Sequence, residues 1–253
     1  MKISVVTVCF RAEATVAQAA HSVIDQEKSL AKAGHTLEYI VVDGASDDHT
    51  LAALAPFECR ISTLISEPDE GLYDAMNKGI KAATGDFIAF LNADDWYADP
   101  HVLADVIELF EASEVQGVYA DLDMVDGPNG ECVVRKWRSG IYSAGDFRKG
   151  WMAPHPTLVM RSDAMRQSGG FNTDLRSAAD YEFMLRCIHF GQRSLAYLPR
   201  TTVKMRTGGM SNASLGNRLR ANAEDAKAWR LNGAQPPWHL RLSKPLRKLG
   251  QFF

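Results

Sequence analysis

Acidic side chains stand where two apolar runs end. The stretch "EYIVVDGASDD" closes on Asp43, and "FIAFLNADDW" closes on Asp94 and Asp95. Adjacent carboxylates at a buried strand end repel each other and lose hydration, so such a pair needs a positive partner. A divalent cation fits: Mg2+ or Mn2+ takes one or two carboxylates and completes its shell with phosphate oxygens and water. Capping the next helix is the plainer use, but Asp99, directly before Pro100, serves that helix better. A further acid, Asp180 in "AADYEFMLRCIHFG", heads a stripe continued by Phe183, Met184, Cys187 and Ile188. On a helix that spacing turns its carboxylate toward packed protein. There it is either a first-turn acid facing the helix dipole or, raised by partial burial, a proton acceptor.

Other polar residues sit in comparable places. Glu67 and Asp69 in "SEPDEGLYDAMNKGI" precede an amphipathic helix. Its Leu72, Met76, Ile80 and Ala83 share one face, and Asp74, Asn77, Lys78 and Lys81 another. The two acids either answer the helix macrodipole or face a cleft beyond the preceding strand. Gly71 and Gly79 permit close backbone approach. His155 in "APHPTLV" lies between two prolines that fix its backbone, as a structural histidine or as a substrate contact. Arg206 in "MRTGGMS" either ends an exposed strand before a Gly-Gly turn or meets phosphate charge.

The elements that must position these groups follow from periodicity. "KISVVTVC" reads as a buried strand, residues 12–30 as a helix, and "LEYIVVD" as the next strand. "SDDHTLAAL" opens a helix with Ser46 as its N-cap. "RISTLIS", "EGLYDAMNKGIKAA" and "GDFIAFLNA" read as strand, helix and strand. This alternation predicts an α/β fold, a mostly parallel sheet with helices on both faces, in which ligands bind beyond the carboxyl ends of the strands. Residues 7–10, Asp43, Glu67 and residues 92–95 all fall on that edge. Past residue 115, "QGVYADLDMVDGPNGECVVRKW" gives two or three strands joined through "DGPNG". A helix near 143–149, a strand in "HPTLVMR" and a helix from near Ser177 follow. "QRSLAYLPRTTVKMRTGG" reads as a strand pair, and 213–231 as a last amphipathic helix with Leu215, Leu219, Ala223, Ala226 and Trp229 along one stripe. The second half continues the same sheet.

Bulk properties narrow the function classes. In 253 residues, 46% are hydrophobic and 23% charged, the balance of a soluble globular protein with a sizeable core. A net charge of −3 gives no basic field for nucleic acid. Cys9, Cys59, Cys132 and Cys187 lie too far apart for a zinc motif or a disulfide framework, which suits reduced thiols in the cytoplasm. The opening run at 3–10 is too short for a signal peptide or a membrane span. Residues 236–253 form a basic amphipathic tail with Arg241, Lys244, Arg247 and Lys248 opposite Trp238, Leu242, Leu246, Leu249 and Phe253. Such a tail either docks on the protein's own core or lies peripherally on the anionic cytoplasmic face of a membrane.

Taken in order, "ISVVTVCF", "YIVVDGASDD", "SEPDEGLYDAMNKG", "GDFIAFLNADDW" and "GGFNTDLRSAADYEFMLR" resemble the glycosyltransferases of family 2, over about residues 2–212. The resemblance is strongest to the branch working on bacterial surface polysaccharides. It implies a single GT-A domain over 1–235, with a Rossmann-like nucleotide-sugar half (1–115), an acceptor half (116–212) and a closing helix (213–235). It also implies metal-dependent transfer of one sugar, with inversion, from a nucleoside-diphosphate donor, here a UDP-sugar. The acceptor implied is a saccharide or a polyprenyl-diphosphate-linked one. Thr7 and Phe10 would line the base pocket, Asp43 would accept from base or ribose, and Glu67 and Asp69 would complete the cradle. Asn92 and Asp94 stand at the family's Asp-x-Asp motif, with Asp94 as metal ligand and Asp95 behind it. Asn92 departs from the usual first Asp, and Arg11 from a frequent Asn. Asp180 would be the general base, with Ala179 where many members carry Glu, and His155 would flank the diphosphate and acceptor. No Gln-x-x-Arg-Trp motif of processive synthases is present. A nucleotidyltransferase is a rival reading, but "TVCFRAEAT" is not its Gly-rich basic loop. A catalytically silent nucleotide-sugar-binding module is another; the set Asp43, Asp94 and Asp180 argues against it.

Overall fold

The computed structural model describes residues 1–127, 130–208, 215–240 and 251. Four parallel strands form its first half: β1 (Lys2–Cys9), β2 (Thr36–Asp43), β3 (Thr63–Ser66) and β4 (Phe87–Asn92). The helices between them are α1 (Val16–Ile24), α2 (Glu27–Lys32), α3 (Thr50–Leu54) and α4 (Leu72–Ala82). After β4 come β5 (Asp95–Tyr97), α5 (Val102–Ala112), β6 (Gly117–Asp126), β7 (Cys132–Trp137), β8 (Val159–Arg161) and α6 (Ser162–Gln167). The last elements are α7 (Ala179–Met184), β9 (Leu195–Arg206) and α8 (Leu215–Leu231). Among the described residues nine strands make one sheet in the order β3-β2-β1-β4-β8-β6-β9-β5, with β7 on β6. β8 is antiparallel to both β4 and β6 and so joins the two halves.

β-branched residues drive this sheet because both its faces are covered. Successive side chains of a strand alternate. Val6, Val8, Ile40, Val42, Ile88 and Phe90 therefore pack on one face with Met76 of α4 and Phe183 of α7. Ile3, Val5, Tyr39, Val41, Phe87 and Leu91 pack on the other with Val16 of α1 and Leu103 of α5. Gly79 lets α4 lie close on β1, since a Cβ there would stand 2.3 Å from Val6 Cγ1. Overpacking of that kind costs typically ~1–3 kcal/mol.

Several boundaries differ from the sequence reading. The helix expected over 12–30 is two, α1 and α2. Ser46 does not cap α3; Asp48 Oδ1 accepts from the Thr50 amide at 3.0 Å, and the Ser46 hydroxyl turns to Asp43. The helix near 143–149 is one 3-10 turn, Asp146–Lys149, between left-handed Gly145 and Gly150. The strand pair expected around Pro199 is the single strand β9. Its pairing with β6 jumps from Ala120↔Leu198 to Asp121↔Thr201, so Pro199 and Arg200 sit in a bulge that needs no ladder donor. α7 begins at Ala179 and runs on as a π turn, Leu185–Phe190. The side chains of Leu215 and Leu219, and the tail residues Arg241, Leu242, Lys244, Leu246, Arg247, Lys248, Leu249 and Phe253, lie outside the described residues.

Candidate active site

The carboxyl edge follows from register. Val8 pairs with Asn92 on one side, and Cys9 with Asp43 on the other, which in turn pairs with Ser66. With neighbouring strands ~4.8 Å apart, the ends of β4 and β2 lie roughly 10 Å from each other. Beyond Asn92 the chain turns through Ala93 and Asp94 and leaves as β5, which pairs with β9.

At that turn the acids are crowded. Asp95 is 1% exposed, and Asn92 Nδ2 donates to its Oδ2 at 3.0 Å. Its Oδ1, and Oδ1 of Asn92, are buried without a hydrogen-bond donor. Burial raises the pKa of Asp94 and of Asp95, and the charge of Asp94 raises Asp95 further. Arg206 works against both shifts from the end of β9. Its guanidinium lies 5.1 Å over the Trp96 ring and donates to Gly127 O at 3.0 Å and Gln18 Oε1 at 2.5 Å. Two buried acceptors without donors, beside carboxylates that resist ionisation, are a setting that a cation would relieve. Among the described residues no three His, Cys, Asp or Glu side chains converge as a metal cage, so other oxygens would complete any shell.

The edge of β1 and β2 is a different environment. Asp43 is wholly buried and accepts from Ser46 N at 3.0 Å, Ser46 Oγ at 2.5 Å, Ser66 Oγ at 2.8 Å and the Cys9 thiol at 3.8 Å. Burial and Asp43 together push that thiol up to about 12. Thr7 is also wholly buried, on the α1 face, and accepts from the Tyr39 hydroxyl at 3.2 Å. Neither side chain reaches the cleft in this structure, because its position in the strand directs Thr7 inward and protein donors saturate Asp43. What faces outward is Phe10, 56% exposed. A Cβ on Gly44 would stand 2.5 Å from Asp69 Oδ2 and 3.4 Å from the Phe10 ring, so these three residues touch. Asp69 Oδ1 accepts from Gly71 N at 2.8 Å just before α4. Glu67 is exposed and paired with Lys78 at 2.9 Å. Arg11 adopts a φ of 50°, a left-handed conformation that Asn tolerates better. It is held there by two 2.7 Å bonds to Asp47 and lies over Phe10.

The side of the sheet covered by α4 and α7 brings together motifs far apart in sequence. The Asn77 side chain bridges Phe171 N and O at 2.8 and 2.9 Å, tying α4 to "GGFN". Asp180 is half-buried; its Oδ1 accepts from Tyr181 N at 2.8 Å and the Tyr73 hydroxyl at 3.3 Å. His155 packs between Phe90 and Phe171, with both ring nitrogens buried and without partners. Burial lowers its pKa and nearby Asp180 raises it, with burial the larger effect, so the ring is neutral near pH 7. Three contributors escaped the sequence reading: Tyr73, Trp96 and Glu224. Glu224, on α8, accepts from the amides of Ser177 at 2.7 Å, Ala178 at 3.1 Å and Arg176 at 3.2 Å, fixing the chain just before Asp180. The sequence shows only the apolar stripe of this helix through Ala226 and Trp229, which says nothing of a carboxylate reaching back 47 residues.

Comparisons with known proteins bear on the family and the fold. Residues 4–166 match the family described as glycosyl transferase family 2. An uncharacterized glycosyltransferase of Mycobacterium tuberculosis is 36% identical over 158 residues, 59% of this chain and 56% of that protein. The chain thus spans about half the length of that relative. A Myxococcus xanthus O-antigen biosynthesis protein is 29% identical over 192 residues, 71% of this chain and 14% of that protein. Among solved structures, residues 1–349 of S. aureus TarS, in complex with UDP-GlcNAc, match with a TM-score of 0.68 at 18% identity, covering 91% of this chain and 65% of that one. The mannosyltransferase PcManGT from Pyrobaculum calidifontis, in complex with GDP-Man and Mn2+, matches at 0.66 and 19%, covering 96% and 71%. At these identities the likeness is one of fold, and the fold is GT-A. With the family match over most of its length and the motif carboxylates gathered on one sheet edge, the chain belongs to glycosyl transferase family 2.

Proposed function

We propose that this chain transfers one sugar from a UDP-sugar, with inversion, to a hydroxyl of a saccharide or polyprenyl-diphosphate-linked acceptor in cell-surface polysaccharide synthesis. The observation that carries the reading is the unmet acceptor demand of Asp95 and Asn92 beside half-buried Asp94, at the carboxyl strand edge where open α/β sheets bind their ligands. Those residues fit Mg2+ or Mn2+, with Asp94 as ligand and Asp95 in support, and such an ion would offset charge on the leaving diphosphate. Arg206 adds positive charge beside them. Phe10 offers an open ring to a uracil face, with Asp69 and Glu67 at the nucleoside's edge. Thr7 and Asp43 hold that edge from beneath. Asp180 takes the proton of the acceptor hydroxyl as its oxygen bonds to the anomeric carbon and the carbon–phosphate oxygen bond breaks. Its Oδ1 is tied, so Oδ2 is the accepting atom. His155, neutral and buried nearby, orients the acceptor.

Thermal unfolding with nucleotides tests the donor side. UDP with Mn2+ should add roughly 2.7 kcal/mol at about 100 times its Kd, and GDP at the same concentration should add less. UDP stabilisation indifferent to EDTA would remove the cation from the reading. Asp180→Asn tests the base: UDP affinity should hold while transfer falls by about 10²–10⁴-fold.

The proposal extends to peripheral contact with an anionic membrane face. No described helix is long and apolar enough to cross a membrane. Leu240 is buried, and Gln251 O accepts from Lys136 N on β7 at 2.9 Å, so the tail touches the protein at these two residues. Trp238 remains 88% exposed. Binding to anionic liposomes should be salt-sensitive and lost on truncation after Gln235, each basic residue adding roughly 1 kcal/mol. Equal partitioning of truncated and full chains would leave the tail as a docked segment alone.

A further inference from the structure

The geometry points to Tyr73 as a positioning residue for the proton acceptor: its hydroxyl ties Asp180 Oδ1 so that Oδ2 alone is presented to the acceptor. This rests on Asp180 being the base, as proposed above. Tyr73 is the second residue of α4 and Asp180 the second of α7, 107 positions later. The hydroxyl donates to Oδ1 at 3.3 Å, and Tyr181 N donates to the same oxygen at 2.8 Å. Oδ2 receives no hydrogen bond among the described residues. The two oxygens are therefore unlike, one committed to protein and one open. At 3.3 Å the hydroxyl bond is long, as is common before a substrate tightens a site.

The Tyr73 hydroxyl is suited to this work. It is buried, with its ring against Phe171 at 5.8 Å. Burial, then the charge of Asp180, push its pKa far up, so it stays protonated and donates at any working pH. Through Asp180, whose Oδ1 also accepts from Tyr181 N, the Tyr73 hydroxyl ties α4 to the start of α7. Two residues before it, Gly71 has a φ of 117° and gives its amide to Asp69. The segment that borders the donor thus also aims the base. The other titratable groups around Asp180 are turned elsewhere or uncharged. His155 is neutral, Glu182 pairs with Arg186 at 2.8 Å, Glu224 holds the amides at 176–178, and Asp225 acts on Tyr181.

Tyr73→Phe keeps the ring and removes only the hydroxyl. A carboxylate that loses a donor is harder to ionise. The acid limb of the kcat/KM profile should therefore move to higher pH, with kcat down about 10-fold from misalignment and UDP affinity held within about twofold. In the Asp180→Asn background, Tyr73→Phe should add no further loss, because the group it serves is gone. A limb that stays in place, or an equal further loss in that background, overturns the inference and leaves Tyr73 a packing residue. If Asp180→Asn itself turns over near the wild-type rate, the base reading has failed, and the Tyr73 inference with it. If Asp180→Asn is crippled and only the limb fails to move, the Tyr73 inference alone falls.

Discussion

Glu38 and Asp95 are both buried acids on one sheet, at opposite ends of its strands. At the amino end, Glu38 accepts from Ser4 Oγ at 2.5 Å and from Thr84 N and Oγ1 at 2.7 and 2.5 Å, and pairs with Lys2 at 2.7 Å. Burial opposes its charge, but the bonds from Lys2, Ser4 and Thr84 outweigh burial and hold its pKa down at about 2. At the carboxyl end, Asp95 has burial and an acidic neighbour against it, and its pKa rises. Asp43 shows that the edge itself does not decide the matter. It lies at the carboxyl end too, yet protein donors enclose it as they do Glu38. What sets Asp95 apart from both is a demand the protein leaves unmet, at its Oδ1.

The largest effect should separate these two kinds of acid by rate. Asp94→Ala should cost several kcal/mol of transition-state stabilisation, on the order of 10³-fold in transfer, and erase the cation-dependent part of UDP binding. Glu38→Gln should leave the rate per folded molecule nearly unchanged. Comparable rate losses in both variants would dissolve the distinction.

Stability should rank them the other way. Glu38→Gln removes a charge that the native state favours and should cost about 3 kcal/mol at neutral pH, read from denaturant unfolding. Glu224→Gln is the counterpart beside α7. It leaves one of two carboxylate oxygens to serve three amides and should cost roughly 1–2 kcal/mol, with hydrogen exchange rising at the amides of Arg176, Ser177 and Ala178.

How much of this was legible depends on how far apart the partners lie. Asp94, Asp95 and Asp180 could be found from local pattern, since an apolar run ends on the first two and an apolar stripe begins at the third. The first four strands and their helices follow from the same periodicity. The state of Asp43 could not, because its donors come from β1, the following loop and the end of β3. Tyr73 reads as one more apolar residue of an amphipathic helix; only the fold brings its hydroxyl to Asp180. The burial of Thr7 on the α1 face was not legible, because strand alternation gives two faces without saying which opens on the cleft. The strand pair expected over 192–209 is one strand, because the bulge at Pro199 and Arg200 absorbs the proline within a continued ladder.

The smallest effect is one of sign. Glu38 has a folded-state pKa below its ordinary value of 4.5, so its contribution is fully present above that pH and disappears as pH falls toward about 2. Asp95 is raised, so between its ordinary value of 3.8 and its folded-state value the native protein binds more protons than the unfolded chain. Its contribution therefore improves as pH falls through that window, opposite to Glu38. Asp95→Asn should remove this opposing slope and, without cation or nucleotide, stabilise the protein by on the order of 1 kcal/mol near neutral pH, since an uncharged isostere escapes the burial cost. Added Mn2+ should stabilise the wild-type protein more as pH rises, because it competes with protons for the same oxygens. The Asp95→Asn protein should respond less. Identical pH slopes in the two proteins, with and without Mn2+, would mean that Asp95 is as closed as Glu38 and that the unmet demand at the end of β4 does not govern its charge.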